Sequence, residues 1–179
     1  MSTLIFLYSL SFLVILVACM ILYIYNNILK SSRQLLKNQD GLRKGTLYPL
    51  NNLEYINEKD VNTNSNCDGT ILIATSYGCA ACKRVYPYLE QLRQEYNNID
   101  FHLLMLANKD QTQETINLYN LRNFKVSLIQ NDQLHNLGIT GFPFSYLLSK
   151  EKKVIEKGIV NHKKDFDLLI SFLTIKKVS

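Results

Sequence analysis

Cysteine is scarce in this sequence, and its scarcity excludes a small scaffold held together by disulfides. The 179-residue chain has four cysteines, Cys19, Cys67, Cys79 and Cys82, which are too few to staple a domain of this length. Hydrophobic residues make up 47% of the chain, enough to fill a core without such crosslinks. The length therefore predicts one ordinary domain with an appendage.

Several motifs are also missing, and each absence removes a class of function. The sequence has no internal repeat, no nucleic-acid-binding motif and no dense basic block, because its net charge of +5 is spread along the chain. This distribution indicates a mildly basic, solvated surface and no nucleic-acid partner. A zinc site is disfavoured because no second ligand pair follows Cys79 and Cys82. A c-type haem site is excluded because Lys83, not histidine, follows the second cysteine.

The stretch that is most informative reads ILIATSYGCAACKRVYP, from Ile71 to Pro87. Its apolar, β-branched beginning predicts a buried strand, which Ser76, Tyr77 and Gly78 end. Apolar residues then recur at helical spacing, at Val85, Leu89, Leu92 and Tyr96. The Cys-x-x-Cys pair therefore lies where a strand is followed by a helix.

That position favours redox chemistry at the pair. Free N–H groups and the positive end of the helix dipole stabilise a thiolate in the first turn of a helix. Lys83 and Arg84 add positive charge beside the cysteines, which acts in the same direction. We therefore expect Cys79 to be the exposed nucleophile and Cys82 to resolve the mixed disulfide. Cys67, in a polar loop, is a third thiol whose role stays open at this point.

The amino-terminal segment predicts a membrane anchor. Leu4 to Tyr25 contains no charged residue, and a helix needs roughly 20 apolar residues to span a bilayer. A cleaved signal peptide is disfavoured because Met1-Ser2-Thr3 carries no Lys or Arg. A lipoprotein signal is the alternative, because Leu16-Val17-Ala18-Cys19 resembles a lipobox with Cys19 as the lipidated residue. We assign residues 1–25 to the anchor.

Residues 26–45 predict a basic juxtamembrane linker that lies partly on the lipid headgroups. All of its basic residues follow the apolar segment. Taken alone, this distribution places the following domain in the cytoplasm, although large domains translocate regardless of flanking charge. The basic residues are Lys30, Arg33, Lys37, Arg43 and Lys44.

The remainder of the chain, residues 46–179, predicts a mixed α/β domain. Tyr48 to Val61 is interpreted as a short hairpin that precedes the domain proper, and strand and helix patterns then alternate before a hairpin and a last helix. The expected strands are 71–75, 99–107, 124–129, 144–148 and 154–157, and the expected helices follow Cys82 and cover 110–118, 131–137 and 165–173. His102, His135 and His162 are interpreted as packing or surface residues.

The stretch GITGFPFSYLL, from Gly138 to Leu148, resembles the segment of thioredoxin-like proteins that carries a cis-proline opposite the Cys-x-x-Cys pair. Pro143 takes that position, with Phe142 before it, and Pro87 matches the helix-kinking proline of the family. The single anchor, the hairpin before the domain and the ending KKVIEKGIVNHKKDFDLL are similar to the membrane-anchored branch that includes TlpA, ResA and the methylamine dehydrogenase accessory protein MauD. Within that branch the chain most resembles MauD, through the segments TILIATSYGCAACK and EKGIVN. The resemblance covers about residues 46–175.

The resemblance implies a thioredoxin-like mixed sheet with flanking helices, preceded by one transmembrane helix. It also implies thiol–disulfide exchange with protein clients, a membrane or soluble redox partner, and a catalytic domain outside the cytoplasmic membrane. Phe142 and Pro143 are expected to hold the client backbone as an added strand. Ile73 and Ala74 stand where thioredoxins keep a buried carboxylate, so water or Lys83 is expected to carry the proton. No cofactor or bound metal is expected.

Two alternatives belong to other functional classes. A peroxiredoxin-like antioxidant shares the fold, but its Pro-x-x-x-Thr-x-x-Cys pattern fails because Leu72 occupies the proline position. A non-enzymatic copper carrier would bind copper through Cys79, Cys82 and a distant histidine such as His135.

Overall fold

The computed structural model describes residues 8, 13–26, 41–50, 53–57 and 67–176, with side chains described as far as residue 173 at the carboxyl end. The chain divides into two units, Met1–Lys37 and Asn38–Ser179. In the first unit, residues 13–26 are helical and their side chains are exposed. Most of the rest of the expected anchor, and residues 27–40 of the expected linker, lie outside the described residues.

Within the described residues, no helix is both long enough and apolar enough to cross a membrane.

The second unit is built on a six-stranded sheet with the order β1-β4-β3-β2-β5-β6. β2 pairs in parallel with β3, and β3 with β4. β5 and β6 form an antiparallel hairpin on the other side of β2, and β1 runs antiparallel to β4. The predicted mixed sheet is therefore confirmed. The strands are β1 Glu54–Tyr55, β2 Gly69–Ser76, β3 Ile99–Leu106, β4 Lys125–Ile129, β5 Phe144–Ser149 and β6 Val154–Ile159.

Local features of the sequence fix two helix ends in this unit. Asn108 and Gln111 form a reciprocal capping box at the start of α2, which satisfies two of its free N–H groups. Gly138, with a φ of 62°, follows α3 in the left-handed conformation that glycine tolerates. The helices are α1 Ala80–Glu95, α2 Lys109–Leu118, α3 Gln133–Asn136 and α4 Lys163–Lys176, with a 3-10 turn at Leu121–Asn123.

Both faces of the central strands are covered, as expected of strands that are apolar at every position. Successive side chains of β2 point to opposite faces of the sheet. Four of them in a row are at most 1% exposed: Ile71, Leu72, Ile73 and Ala74. Leu72 and Ala74 belong to a cluster with Phe144 and Tyr146 of β5. This central β2–β5 pair fixes the site, because β2 leads into the cysteine pair and β5 begins directly after Pro143.

The expected hairpin over Tyr48 to Val61 is wrong for the residues that the structure describes. Leu47 bridges to Lys153, beside β6, whereas Glu54 and Tyr55 pair with Leu128 and Ser127 of β4. The two ends of this stretch thus join opposite edges of the sheet. Such pairings bury backbone groups that a local hairpin would leave exposed at both edges.

Residues 41–50, which we name the N-terminal strap, pack on β5 and β6. The Leu42 N–H donates to the Tyr146 hydroxyl at 2.9 Å, and Lys157 Nζ donates to the Gly41 carbonyl at 2.8 Å. Lys44 forms an ion pair with Glu156. Residues 41–45 of the expected linker therefore contact the domain, while the three domain boundaries given above stay a prediction.

Candidate redox site

The two cysteines of the Cys-x-x-Cys pair are joined in a disulfide at the start of α1, with their Cα atoms 5.3 Å apart. Cys79 is the N-cap residue of that helix, and its Sγ accepts a hydrogen bond from the Cys82 N–H at 3.1 Å. Cys82 is fully buried, whereas Cys79 is partly exposed. An incoming sulfur can therefore reach Cys79 but not Cys82.

A tight turn carries the chain from β2 into α1 and positions this sulfur. The Tyr77 N–H donates to the Leu106 carbonyl, and the Cys79 N–H donates back to the Ser76 carbonyl. Gly78 adopts a φ of 79° between them, a conformation that L side chains rarely adopt. The Lys83 N–H then makes the first helical bond, to the Cys79 carbonyl at 3.2 Å.

The charged side chains at the start of α1 are both positive. The first turn of α1 contains no acidic residue, and Lys83 and Arg84 are both exposed on it. The dipole of a 16-residue helix adds a partial positive charge at the same end. The arrangement favours the ionised form of a sulfur at the Cys79 position over the thiol. The thiolate-stabilising role of the two cations stays a prediction.

Pro143 lies at the same end of the sheet as the disulfide. β2 and β5 are antiparallel, with Ala74 opposite Phe144, so the end of β2 is level with the start of β5. The Phe142–Pro143 peptide bond is cis. Pro143 is buried and its carbonyl accepts from the Val160 N–H, while Phe142 is partly exposed. The backbone of Phe142 makes no hydrogen bond to any residue that the structure describes.

A cleft that the sequence did not predict lies between the turn before Cys79 and α2. The Tyr77 hydroxyl donates to Glu114 Oε2 at 3.0 Å across this cleft, and that bond raises the pKa of Tyr77. Its floor includes Tyr86, whose pKa is raised by burial. The cleft encloses about 130 Å³. It joins two elements that no local pattern connects, so only the fold reveals it.

Cys67 lies away from the disulfide, and the three histidines have no role in the proposed exchange. Cys67 precedes β2, whereas Cys79 follows it, and a strand of eight residues separates the two ends by about 25 Å. Burial also raises the pKa of the Cys67 thiol. Within one chain Cys67 therefore does not exchange with the pair. His102 is buried, and His135 and His162 are exposed, in agreement with their interpretation as packing and surface residues.

The copper-carrier alternative gains no support from the residues that the structure describes. The described part of the chain contains no group of three or more His, Cys, Asp or Glu side chains that could hold a metal ion. His135, the distant ligand in the copper-carrier interpretation, is exposed on α3. Ile73 and Ala74 are buried at the positions where thioredoxins keep a carboxylate. Because both side chains are apolar, neither of them can carry a proton.

Solved structures share this fold at low sequence identity. A Chlorobium tepidum protein described as a thiol:disulfide interchange protein DsbE has a TM-score of 0.61 and 16% identity, over 75% of this chain and 97% of that chain. The thioredoxin domain of a Bacteroides vulgatus thiol-disulfide oxidoreductase has a TM-score of 0.59 and 17% identity, over 74% and 99% of the two chains. A Bacteroides thetaiotaomicron structure described as a protein disulfide isomerase has a TM-score of 0.59 and 14% identity, over 75% and 91%.

No protein-family model matches the chain, and the comparison with curated proteins finds no significant match. The structural similarities establish the thioredoxin-like fold that the sequence predicted.

Proposed function

We propose that the protein is a thiol–disulfide oxidoreductase that acts on protein clients through Cys79 and Cys82. The observation that carries the proposal is the disulfide at the amino end of α1, with one sulfur accessible and the other fully buried. Proteins of the same fold named as thiol:disulfide interchange proteins and oxidoreductases support it.

In the oxidising direction, a client thiolate attacks Sγ of Cys79 and the Cys79–Cys82 bond breaks. Cys82 leaves as a thiolate, and the client is held in a mixed disulfide. A second client thiolate then attacks the client sulfur, so that Cys79 leaves as a thiolate and the client gains a disulfide. Two electrons have passed from the client to the protein, which holds two reduced cysteines. The reducing direction is the same sequence reversed.

The surrounding residues have separate roles in this proposal. Lys83 and Arg84 stabilise the Cys79 thiolate by their charge, together with the dipole of α1. Phe142 offers backbone groups without a partner among the described residues, so a client segment can add to the sheet beside Pro143 as an extra strand. Water carries the proton of Cys82, or Lys83 does, because Ile73 and Ala74 cannot.

We further propose that the catalytic domain is tethered to a membrane and faces away from the cytoplasm. The charge-free segment from Leu4 to Tyr25 supports the tether. The similarity of TILIATSYGCAACK and EKGIVN to the MauD-containing branch supports both the tether and the orientation. Tethering raises the encounter rate with clients that are themselves at the membrane. Its redox partner is a membrane or soluble protein.

Replacement of the buried sulfur tests the reaction. Cys82→Ser keeps the attacking thiol but removes the resolving one, so we expect a client–Cys79 mixed disulfide to accumulate. Mass spectrometry after non-reducing electrophoresis identifies the trapped clients. Cys79→Ser is the matched control and should trap at least tenfold less, because its remaining thiol is buried. Insulin reduction should be lost in both variants.

A copper carrier would behave differently in the same experiments. It would bind Cu(I) tightly under anaerobic conditions, leave insulin unreduced in the unmodified protein, and trap no client in Cys82→Ser. That combination would overturn the proposal.

A further inference from the structure

The cleft beside Cys79 has the composition of a side-chain pocket. Six of its lining residues are Tyr77, Lys83, Tyr86, Glu114, Leu118 and Tyr119. Three of these six are aromatic, and the Tyr86 and Tyr119 rings lie 4.7 Å apart. The hydrogen bond from Tyr77 to Glu114 ties its two sides together. The cleft is therefore a largely apolar depression whose two sides are joined by a hydrogen bond.

Exposed apolar side chains are concentrated at this cleft. Within the described residues of the Asn38–Ser179 unit, three large hydrophobic side chains are exposed: Leu47 at 64%, Tyr77 at 44% and Leu118 at 69%. Two of the three line this cleft, whose lining also includes Gly78, the residue directly before Cys79. Single exposed apolar residues need no explanation, but a cluster at a reactive group indicates a contact surface.

Thiol–disulfide exchange at Cys79 brings the side chains next to the client cysteine close to this cleft. In a mixed disulfide, the client cysteine has its Cα within about 4.4 to 6.8 Å of the Cα of Cys79. Residues next to that cysteine therefore lie within about 10 Å of Cys79. Tyr77 is two positions before Cys79 in the chain, so a neighbouring client side chain reaches the cleft while the sulfurs exchange.

Charge gives an ionic client side chain no net advantage in the cleft. Glu114 already accepts the Tyr77 hydroxyl, and Lys83, of opposite sign, lines the same depression, so a client charge of either sign meets one attraction and one repulsion. An apolar side chain meets neither, and it removes the exposed surface of Leu118 and Tyr77 from water.

We propose that this cleft is a specificity pocket for an apolar client residue within two positions of the reacting cysteine. The inference rests on the function proposed above and names the clients that it favours. A client with leucine, methionine or phenylalanine beside its cysteine contacts the protein on both sides of Cys79. The client backbone pairs with Phe142, and the apolar client side chain packs against Leu118.

Two symmetric peptide disulfides test the proposal. In one the single cysteine is flanked on both sides by leucine, and in the other by serine. The reduced full-length protein, in a non-ionic detergent, loses two electrons and forms its Cys79–Cys82 disulfide while each peptide disulfide becomes two thiols. Chromatography gives each rate, which is divided by the rate of that peptide with dithiothreitol to correct for intrinsic reactivity. We expect the leucine peptide to react about fivefold faster, the factor that about 1 kcal/mol of apolar burial gives.

The matched variants are Leu118→Gln and Leu47→Gln. Both replace an exposed leucine by a neutral side chain, but Leu47 bridges to Lys153 at the hairpin end of β5 and β6, away from Pro143. Leu118→Gln should reduce the preference for the leucine peptide to less than twofold, whereas Leu47→Gln should keep it. Circular dichroism of each variant checks that the fold is intact, and Leu118→Ala is a second variant with the same expected direction.

Three outcomes overturn the inference in distinguishable ways. If the unmodified protein reduces neither peptide, the proposed oxidoreductase function fails. If it reduces both equally, or if Leu118→Gln and Leu118→Ala keep the preference, the pocket fails while the function stands. If sedimentation shows a dimer that Leu118→Gln dissociates, the occupant is a second copy of the chain and not a client.

Discussion

His102 gives the clearest pH dependence at the scale of single residues. Its side chain is 3% exposed on β3, bonded through Nε2 to Ser127 Oγ at 2.8 Å and stacked on Tyr55. Burial lowers the pKa of His102 to about 4, with the Lys125 and Lys152 charges adding to the effect and Asp100 opposing it. In the unfolded chain His102 binds a proton with a pKa near 6.5, whereas in the folded chain it stays neutral until the pH approaches 4. The contribution of His102 to stability is therefore fully present above pH 6.5 and is lost as the pH falls towards 4.

We expect His102 to make the free energy of unfolding about 2 kcal/mol smaller at pH 5 than at pH 8. Denaturation by urea of the full chain in mild detergent, at both values, measures the total difference. In His102→Gln the difference should shrink by that amount, because the titrating group is gone. His135→Gln removes an exposed histidine and should leave the difference as in the unmodified protein. An unchanged difference in His102→Gln would show that its burial does not control the acid response.

At the scale of elements, Tyr146 is one of the side chains that hold the N-terminal strap on the sheet. Tyr146 of β5 accepts the Leu42 N–H at 2.9 Å and donates to the Gly138 carbonyl at 2.7 Å. It thereby connects the strap to the start of the segment that leads to Pro143. Burial raises the pKa of Tyr146 to about 12, so the hydroxyl stays protonated and keeps donating at neutral pH. A methyl group on Gly138 would come within 2.6 Å of the Leu42 nitrogen, which shows how closely the two segments approach.

Tyr146→Phe should lower the free energy of unfolding by about 2 kcal/mol, because it leaves two partly buried backbone groups without a partner. Tyr48→Phe is the control: the Tyr48 hydroxyl makes one longer bond, 3.3 Å to the Leu137 carbonyl, and should cost about 1 kcal/mol or less. Urea denaturation gives both values, and amide exchange at Leu42 should accelerate only in Tyr146→Phe. Equal losses in the two variants would mean that the hydroxyl of Tyr146 is not what holds the strap.

The same elements show what could be predicted from the sequence. β2, α1 and the β5–β6 hairpin were predicted because the signals are local: a β-branched run, helical spacing after the cysteines, and a polar turn. The cysteine pair was predicted for the same reason, whereas the segment before β5 was predicted from its resemblance to thioredoxin-like proteins. The strap was not predicted, since Leu42 meets Tyr146 across 104 positions of the chain. The cleft was missed because Glu114 comes from another element, 37 positions after Tyr77.

At the scale of the whole molecule, basic residues such as Lys30 and Arg33 follow the apolar segment. They oppose the proposed orientation, in which the domain faces away from the cytoplasm. The positive-inside bias acts most strongly on short loops. The unit that follows here extends from Asn38 to Ser179 and is long enough to translocate despite those charges. The charge bias is therefore compatible with the proposed orientation, which stays a proposal.

A cysteine placed on the domain surface tests this orientation. Lys150 is exposed in the β5–β6 turn, so Lys150→Cys provides an accessible thiol when Cys67, Cys79 and Cys82 are replaced by serine. In intact cells, we expect a membrane-impermeant maleimide to label this variant at least fivefold more than the triple-serine chain without Lys150→Cys. Both chains should remain in the membrane fraction after an alkaline wash. Labelling that appears only after lysis would place the domain in the cytoplasm and leave the exchange chemistry itself untouched.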